Sequence, residues 1–147
     1  MKDNFVREWI KRAEKEDKGS VFQFVSYYIA LNHLYNGVER VSNENCGELC
    51  LLKKYIKQIA SKYNYNPYDE LTSDSELLKG VCSEKTNRET DKTKLQDEDV
   101  EELFLSIYYV RCNLFHGSKS MYNERNCRLI YDSCKVLCSL FNILKER

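Results

Sequence analysis

The sequence predicts an all-α fold, an antiparallel up-and-down bundle of five to six helices in one domain over residues 1–147. The chain holds five glycines and one proline, so few positions interrupt a helix. Its apolar residues recur at intervals of three and four, which is the period of an amphipathic helix. Short turns near Gly19 and Gly117 favour antiparallel neighbours. A chain of 147 residues can bury one core without disulfide or metal staples.

The first two helices are predicted from their caps and their apolar patterns. The first covers residues 4–17, with Asn4 as its expected cap. Its expected apolar face holds Phe5, Trp9, Ile10 and Ala13. The second covers residues 21–36, between Ser20 as its cap and Gly37 in the C-terminal cap position. Because the second helix is apolar on most sides, we expect it to be the central helix.

The rest of the chain holds further helices and one polar insert. A third helix is predicted over residues 47–63, and a shorter helical piece over residues 74–81. The insert, residues 83–96, has fourteen residues with almost no apolar content, which is long for a connection in a compact domain. We expect this insert to be either mobile or functional. Two final helices are predicted over residues 97–117 and 123–145.

The charge and hydropathy of the chain exclude some classes of function. Lysine and arginine number 23, aspartate and glutamate also 23, so no global basic field draws the protein to nucleic acid. Any contact with nucleic acid must therefore be local. No apolar stretch approaches the roughly 18 to 20 residues of a membrane span, and the amino terminus lacks an apolar signal core. We expect a cytoplasmic protein with no membrane partner.

Cysteine usage favours reduced thiols. The chain has an odd number of cysteines, and several lie within apolar helical patterns, as small core residues do. The seven are Cys46, Cys50, Cys82, Cys112, Cys127, Cys134 and Cys138. With two histidines in the chain, a complete zinc site is difficult to assemble. We expect no metal and no cofactor.

Arg111 is placed unusually for a charged residue. It follows Ile107 by four positions and precedes Leu114 by three, so it lies within the apolar stripe of its helix. Burying an unpaired charge is very unfavourable. Arg111 must therefore extend to solvent, pair internally, or face a cleft or a subunit interface where an anion binds.

His116 follows Arg111 by five residues, at the end of the same predicted helix. A histidine exchanges protons near neutral pH, and an arginine presents a fixed fork to phosphate oxygens. Such a pair is suited to cleaving RNA by attack of a 2′-hydroxyl on the adjacent phosphate, without a metal. The alternative interpretation is that Arg111 pairs with an acidic residue and His116 bonds the end of its helix.

Two segments resemble the HEPN superfamily. Residues 109–117, Tyr-Val-Arg-Cys-Asn-Leu-Phe-His-Gly, resemble its Arg-x4–6-His signature. Residues 24–35 resemble the aromatic-rich second helix of many members, which often read as an aromatic, a small residue, Asn and then Leu-Tyr. Together with the number and order of helices, the resemblance covers most of the chain except the polar insert.

The resemblance implies a homodimer in which two copies of the motif form one composite cleft, and metal-independent endoribonuclease activity. By this resemblance Arg111 would hold or stabilise the phosphate, and His116 would transfer protons. Asn113 would orient the RNA or the histidine. In some members the polar residue directly follows the arginine, where this chain has Cys112.

The expected partners are RNA and a second copy of the chain, and the resemblance also allows an antitoxin. A role as toxin, antiphage effector or RNA-processing factor would fit such an enzyme. The basic residues after the motif could bind RNA phosphates or form a solvated face. They are Lys119, Arg125 and Arg128.

Two other classes of function remain open. The chain could be a non-catalytic interaction module or a nucleotide- or RNA-binding module, in which the arginine binds a phosphate or a partner carboxylate. The arginine could also form only a structural ion pair. Two polar residues of the second helix favour structural roles: His33 as a hydrogen-bonded histidine, and Asn32 in a bond between helices.

Overall fold

A computed structural model describes residues 3–38, 46–67, 100–115 and 123–145 of the chain. These residues form α-helices and no strand, so the predicted all-α class is confirmed for the described part. The predicted piece at residues 74–81 and the polar insert at residues 83–96 lie outside it. The described helices are α1 Asn4–Lys15, α2 Val21–Asn36, α3 Glu48–Tyr63, α4 Val100–Phe115 and α5 Glu124–Lys145.

The helix caps agree with the sequence prediction in part. Ser20 caps α2 as predicted, since its hydroxyl accepts a hydrogen bond from the Gln23 amide at 3.1 Å. The cap of α1 is Asp3 and not Asn4, because an Asp3 carboxylate oxygen accepts from the Val6 amide at 3.2 Å. Gly37 is the C-cap of α2, with its amide donating to the Leu34 carbonyl at 3.2 Å.

Helix α2 is central, as predicted, because it packs against α1, α3 and α5. Helix α4 completes the packing by contacting α3 and α5. The core is continuous and is made largely of aromatic and aliphatic side chains from all of these helices. Its largest fully buried side chains include Tyr35, Phe24, Phe104, Phe141, Ile10 and Leu31. Burial of this apolar surface is the main stabilising contribution to the fold.

The buried face of α1 matches the predicted one at Ile10 and Ala13 but not at Phe5. Val6, Ile10 and Ala13 are fully buried, whereas Phe5 is 44% exposed. The spacing of these buried residues at intervals of four and three forms one narrow stripe, and Phe5 lies beside it. Its ring instead packs on His33, with 4.5 Å between ring centroids. Phe22 on α2 is also exposed, so the apolar residues of α2 do not all face the core.

One pair of cysteines is oxidised, which corrects the expectation of reduced thiols throughout. Cys46 and Cys50 form a disulfide with their Cα atoms 5.3 Å apart. Cys46 precedes α3, and this separation lies within the range that a disulfide accepts. Cys134 is a buried thiol whose pKa is raised to about 12 by burial. It is a small core residue, as predicted.

Two features are absent from the described ranges, a membrane-spanning helix and a cluster of metal ligands. None of the helices there is both long enough and apolar enough to cross a membrane. No group of three or more His, Cys, Asp or Glu side chains in those ranges is arranged to hold a metal ion.

The turn between α1 and α2 depends on Gly19. Its φ is +75°, in the left-handed region that a side chain disfavours. A Cβ atom at this position would also overlap the ring of Tyr131 on α5. The glycine therefore lets the turn and α5 approach closely.

We predict that Gly19→Ala lowers the free energy of unfolding by about 1–2 kcal/mol from the backbone conformation alone. Overlap with Tyr131 adds to this loss. The matched control is Gly37→Ala, because Gly37 has φ −81° and space for a Cβ. Thermal unfolding followed by circular dichroism measures the difference, at roughly 4 °C per kcal/mol for this length. Equal melting temperatures for the two variants would contradict the prediction.

Candidate functional site

Arg111 pairs internally with an acidic residue. Its Nη1 lies 3.3 Å from Oε1 of Glu48 and 3.5 Å from Oε2. The arginine side chain is 22% exposed, so the pair is partly buried. Of the arrangements open to an arginine in an apolar stripe, internal pairing is confirmed. The ion pair joins α4 to α3 across 63 residues of sequence.

Glu48 is the first residue of α3 and accepts further hydrogen bonds. Its Oε1 accepts from the Tyr35 hydroxyl at 2.5 Å and from the Asn32 amide nitrogen at 3.1 Å. A carboxylate in the first turn of a helix is also stabilised by the positive end of the helix dipole. The position of Glu48 is therefore fixed from α2 as well as from α4.

The tyrosines of α2 complete the network. The hydroxyls of Tyr28 and Tyr35 lie 3.2 Å apart, and the Asn32 amide nitrogen donates to the Tyr35 hydroxyl at 2.8 Å. Burial raises the pKa of both tyrosines above their usual value. They are therefore neutral hydroxyls at physiological pH. We call this group of residues the Arg111 cluster: Tyr28, Asn32, Tyr35, Glu48 and Arg111.

Aromatic rings surround the guanidinium. Its central carbon lies 5.3 Å from the ring centre of Tyr28, 5.6 Å from Tyr108 and 5.4 Å from Phe115. Cations within about 6 Å of a ring face are attracted to it. Burial by itself lowers the pKa of Arg111, but the Glu48 carboxylate together with the nearby Tyr28, Tyr35 and Cys112 outweighs burial, and the pKa is raised. The guanidinium is thus charged and restrained by its surroundings.

One nitrogen of Arg111 lacks an acceptor among the residues that the structure describes. The Nε atom is buried, and no described residue accepts a hydrogen bond from it. A buried donor without an acceptor costs about 1–3 kcal/mol. Both contacts with Glu48 fall on Nη1, so the carboxylate does not satisfy Nε. An anion or carbonyl from outside the described residues would remove this penalty.

The other predicted site residues lie elsewhere on α4 and α5 or outside the described residues. Asn113 lies in α4 two positions after Arg111, so the two side chains leave the helix axis about 200° apart. Within one chain they do not converge. Arg125 and Arg128 lie in the first two turns of α5. His116 and Lys119 lie outside the described residues.

Two polar residues of α2, Asn32 and His33, behave as the sequence suggested. Asn32 bonds to Glu48 and so links two helices, as predicted, but this bond also places it next to the partner of Arg111. His33 is hydrogen bonded to Asp3 at 3.0 Å, which agrees with a structural histidine. Sequence reasoning missed Glu48 and the tyrosine hydroxyls. The only available signal was an acid directly after Gly47, at the start of a predicted helix.

The fold and the site together define an all-α domain with a half-buried arginine in a polar cluster at the junction of α2, α3 and α4. Comparison with known protein families, with curated proteins and with solved structures found no match for this chain. The function is therefore argued from the cluster itself and from the sequence motif that includes Arg111.

We predict that Tyr35→Phe lowers the free energy of unfolding by about 1–2 kcal/mol, because Glu48 and Asn32 lose a buried partner. The matched control is Tyr131→Phe, which removes a hydroxyl from an exposed tyrosine and is expected to change stability by less than about 0.5 kcal/mol. Urea unfolding of both variants makes the comparison. Equal midpoints would show that the network does not stabilise the fold.

Proposed function

We propose that this chain is a metal-independent endoribonuclease of HEPN type. The proposal includes the up-and-down, antiparallel arrangement of helices that the resemblance implies, which the short connection between α1 and α2 supports. It also includes a cytoplasmic homodimer in which two copies of the motif share one cleft. A toxin or antiphage effector, with an antitoxin as partner, is the biological role that fits such an enzyme.

The observation that carries the proposal is the state of Arg111. Its guanidinium is charged, restrained by Glu48 and by aromatic rings, and has a buried Nε without an acceptor among the described residues. A phosphate oxygen is a suitable acceptor for such a group, because arginine binds phosphate through parallel N–H donors. In the motif His116 follows Arg111 by five residues, and its imidazole is the group that would donate or accept a proton.

The proposed reaction needs only groups of the protein and the RNA. The 2′-hydroxyl oxygen attacks the adjacent phosphorus, and the bond between phosphorus and the 5′-oxygen breaks. The products are a 2′,3′-cyclic phosphate and a 5′-hydroxyl. His116 takes the proton of the 2′-hydroxyl as it attacks and gives a proton to the 5′-oxygen as it leaves, so no proton is gained or lost overall. Arg111 stabilises the additional negative charge on the phosphate oxygens in the transition state. Asn113 would orient the RNA or a histidine, and because it leaves α4 on another side than Arg111, the second copy of the chain is the better partner for it.

A second candidate function is a non-catalytic phosphate-binding or interaction module. The Arg111–Glu48 ion pair favours it, because an arginine already paired in the chain also serves as a structural or ligand-binding group. This module would bind RNA, a nucleotide or a partner carboxylate through Arg111 without cleaving RNA. Cleavage of RNA separates it from the ribonuclease.

We predict that Arg111→Ala reduces cleavage of a mixed RNA substrate by about 100-fold or more, because the transition state loses its main electrostatic partner. Arg111→Lys keeps the charge but loses the planar fork, so we expect a smaller loss. His116→Ala should abolish cleavage as well. The assay contains EDTA, and circular dichroism verifies that each variant is folded.

The matched control is Arg7→Ala, which removes an exposed arginine of α1. It should cleave as the wild type does. A substrate with 2′-O-methyl groups provides the chemical control, because it cannot supply the attacking hydroxyl. Failure of the wild type to cleave any RNA tested, or cleavage of the 2′-O-methyl substrate, would contradict the proposed mechanism.

We predict that Arg125→Ala combined with Arg128→Ala raises KM for RNA and leaves kcat within a factor of about three, because phosphate contacts position the substrate without taking part in the reaction. The slope of log KM against log salt concentration should fall by about one to two, since up to two phosphate contacts are lost. Arg7→Ala is again the matched control. An unchanged salt slope would show that α5 does not contact RNA.

A further inference from the structure

Glu48 has more hydrogen-bond partners than a simple counter-ion to Arg111 needs. Its Oε1 accepts from Tyr35 and Asn32 of α2, while its carboxylate faces Nη1 of Arg111 on α4. The residue also lies between the cysteines of the Cys46–Cys50 disulfide, which restrains the chain entering α3. Glu48 is therefore a fixed point against which the arginine is held.

The contact uses only part of the guanidinium. The distances of 3.3 and 3.5 Å from the two carboxylate oxygens both end on Nη1. A carboxylate that occupied the place of a phosphate would instead bond two guanidinium nitrogens in parallel. The Nε atom lacks an acceptor among the described residues. Glu48 thus orients the guanidinium and leaves that nitrogen to another acceptor.

Orientation of this kind matters for a transition state. An arginine has a long side chain with many rotamers, and a catalytic group must be held within about 0.5 Å of its productive position. The rings of Tyr28, Tyr108 and Phe115 restrain the guanidinium but do not fix its rotation in its own plane. The directional bond to Glu48 supplies that restraint.

We propose that Glu48 is a positioning residue that acts on RNA cleavage through Arg111. The inference rests on the proposed ribonuclease function and identifies a residue outside the Arg111–His116 motif on which that function depends. Glu48 would not touch the substrate. Tyr35 and Asn32 would hold the carboxylate in place, so the positioning would extend from α2 through α3 to α4.

The test is a double-mutant cycle on RNA cleavage. Glu48→Ala is expected to lower kcat by about 10–100-fold, the loss typical when a supporting partner of a site residue is removed, with a smaller change in KM. In the Arg111→Lys background, the same substitution should cause little further loss, because the planar fork to be oriented is already absent. Glu48→Gln keeps an acceptor oxygen for Nη1 and should restore most of the activity. Glu8→Ala, an exposed glutamate of α1, is the matched control.

Two results would overturn the inference while leaving the ribonuclease proposal intact. Activity of folded Glu48→Ala equal to or above that of the wild type would show that the carboxylate does not assist Arg111. An equal fold-loss from Glu48→Ala in both backgrounds would show that Glu48 acts independently of Arg111.

Absence of cleavage by the wild type would overturn the ribonuclease proposal, and binding then decides the role of Glu48. Fluorescence anisotropy with a 2′-O-methyl oligonucleotide measures this binding. A weaker affinity in Glu48→Ala that disappears in the Arg111→Lys background would support positioning for binding. No binding by the wild type, or no effect of Glu48→Ala, would overturn it.

Discussion

The structure depends on the need to neutralise one charge within an apolar helix face. Arg111 lies in the stripe by which α4 packs on its neighbours, and Glu48 is the carboxylate that pairs with it. Loss of one partner from such a pair leaves a partly buried charge, which is far less favourable than the pair itself. The ion pair therefore constrains how α3 and α4 are placed against each other. Glu48 can meet this need because it begins α3, where the helix dipole favours a negative charge.

The central helix α2 connects this pair to the core. Tyr35 is fully buried, and its ring packs in the hydrophobic cluster while its hydroxyl donates to Glu48. Asn32 lies about one turn earlier on α2, and its amide nitrogen donates to the Tyr35 hydroxyl and to the Glu48 carboxylate. The polar cluster is thus continuous with the apolar core on one side. Because buried polar groups require specific partners, such a cluster favours one helix arrangement over other compact ones.

The same arrangement gives the molecule a site as well as a stable fold. A guanidinium held by a carboxylate and by aromatic rings is ordered before any ligand arrives, which reduces the entropy lost on binding. Its buried Nε without a described acceptor is unfavourable for stability alone. Natural proteins often keep such unfavourable groups where they bind or react with a ligand. A purely structural ion pair gives no reason to leave that nitrogen without a partner among the described residues.

The sequence by itself determined the helices and the position of the unusual arginine. Val21–Asn36 was predicted with both of its ends and its Ser20 cap, because local signals for capping and periodicity act within a few residues. The position of Arg111 within an apolar stripe is also set by nearby residues, and it showed that the charge of Arg111 needs a partner or a ligand. The cap of α1 was predicted one residue away from its true position, and Phe5 was assigned to the buried face in place of its neighbour Val6, since adjacent residues gave similar patterns.

Only the tertiary structure decided which groups meet Arg111. Glu48 is 63 residues away along the chain, and Tyr28 belongs to a third helix, so no spacing in the sequence relates them. The disulfide between Cys46 and Cys50 was also missed, because the odd number of cysteines within apolar patterns favoured reduced thiols, and spacing alone does not show which two thiols meet. Helix formation follows from interactions between near neighbours, whereas a site assembled from three helices depends on how those helices pack.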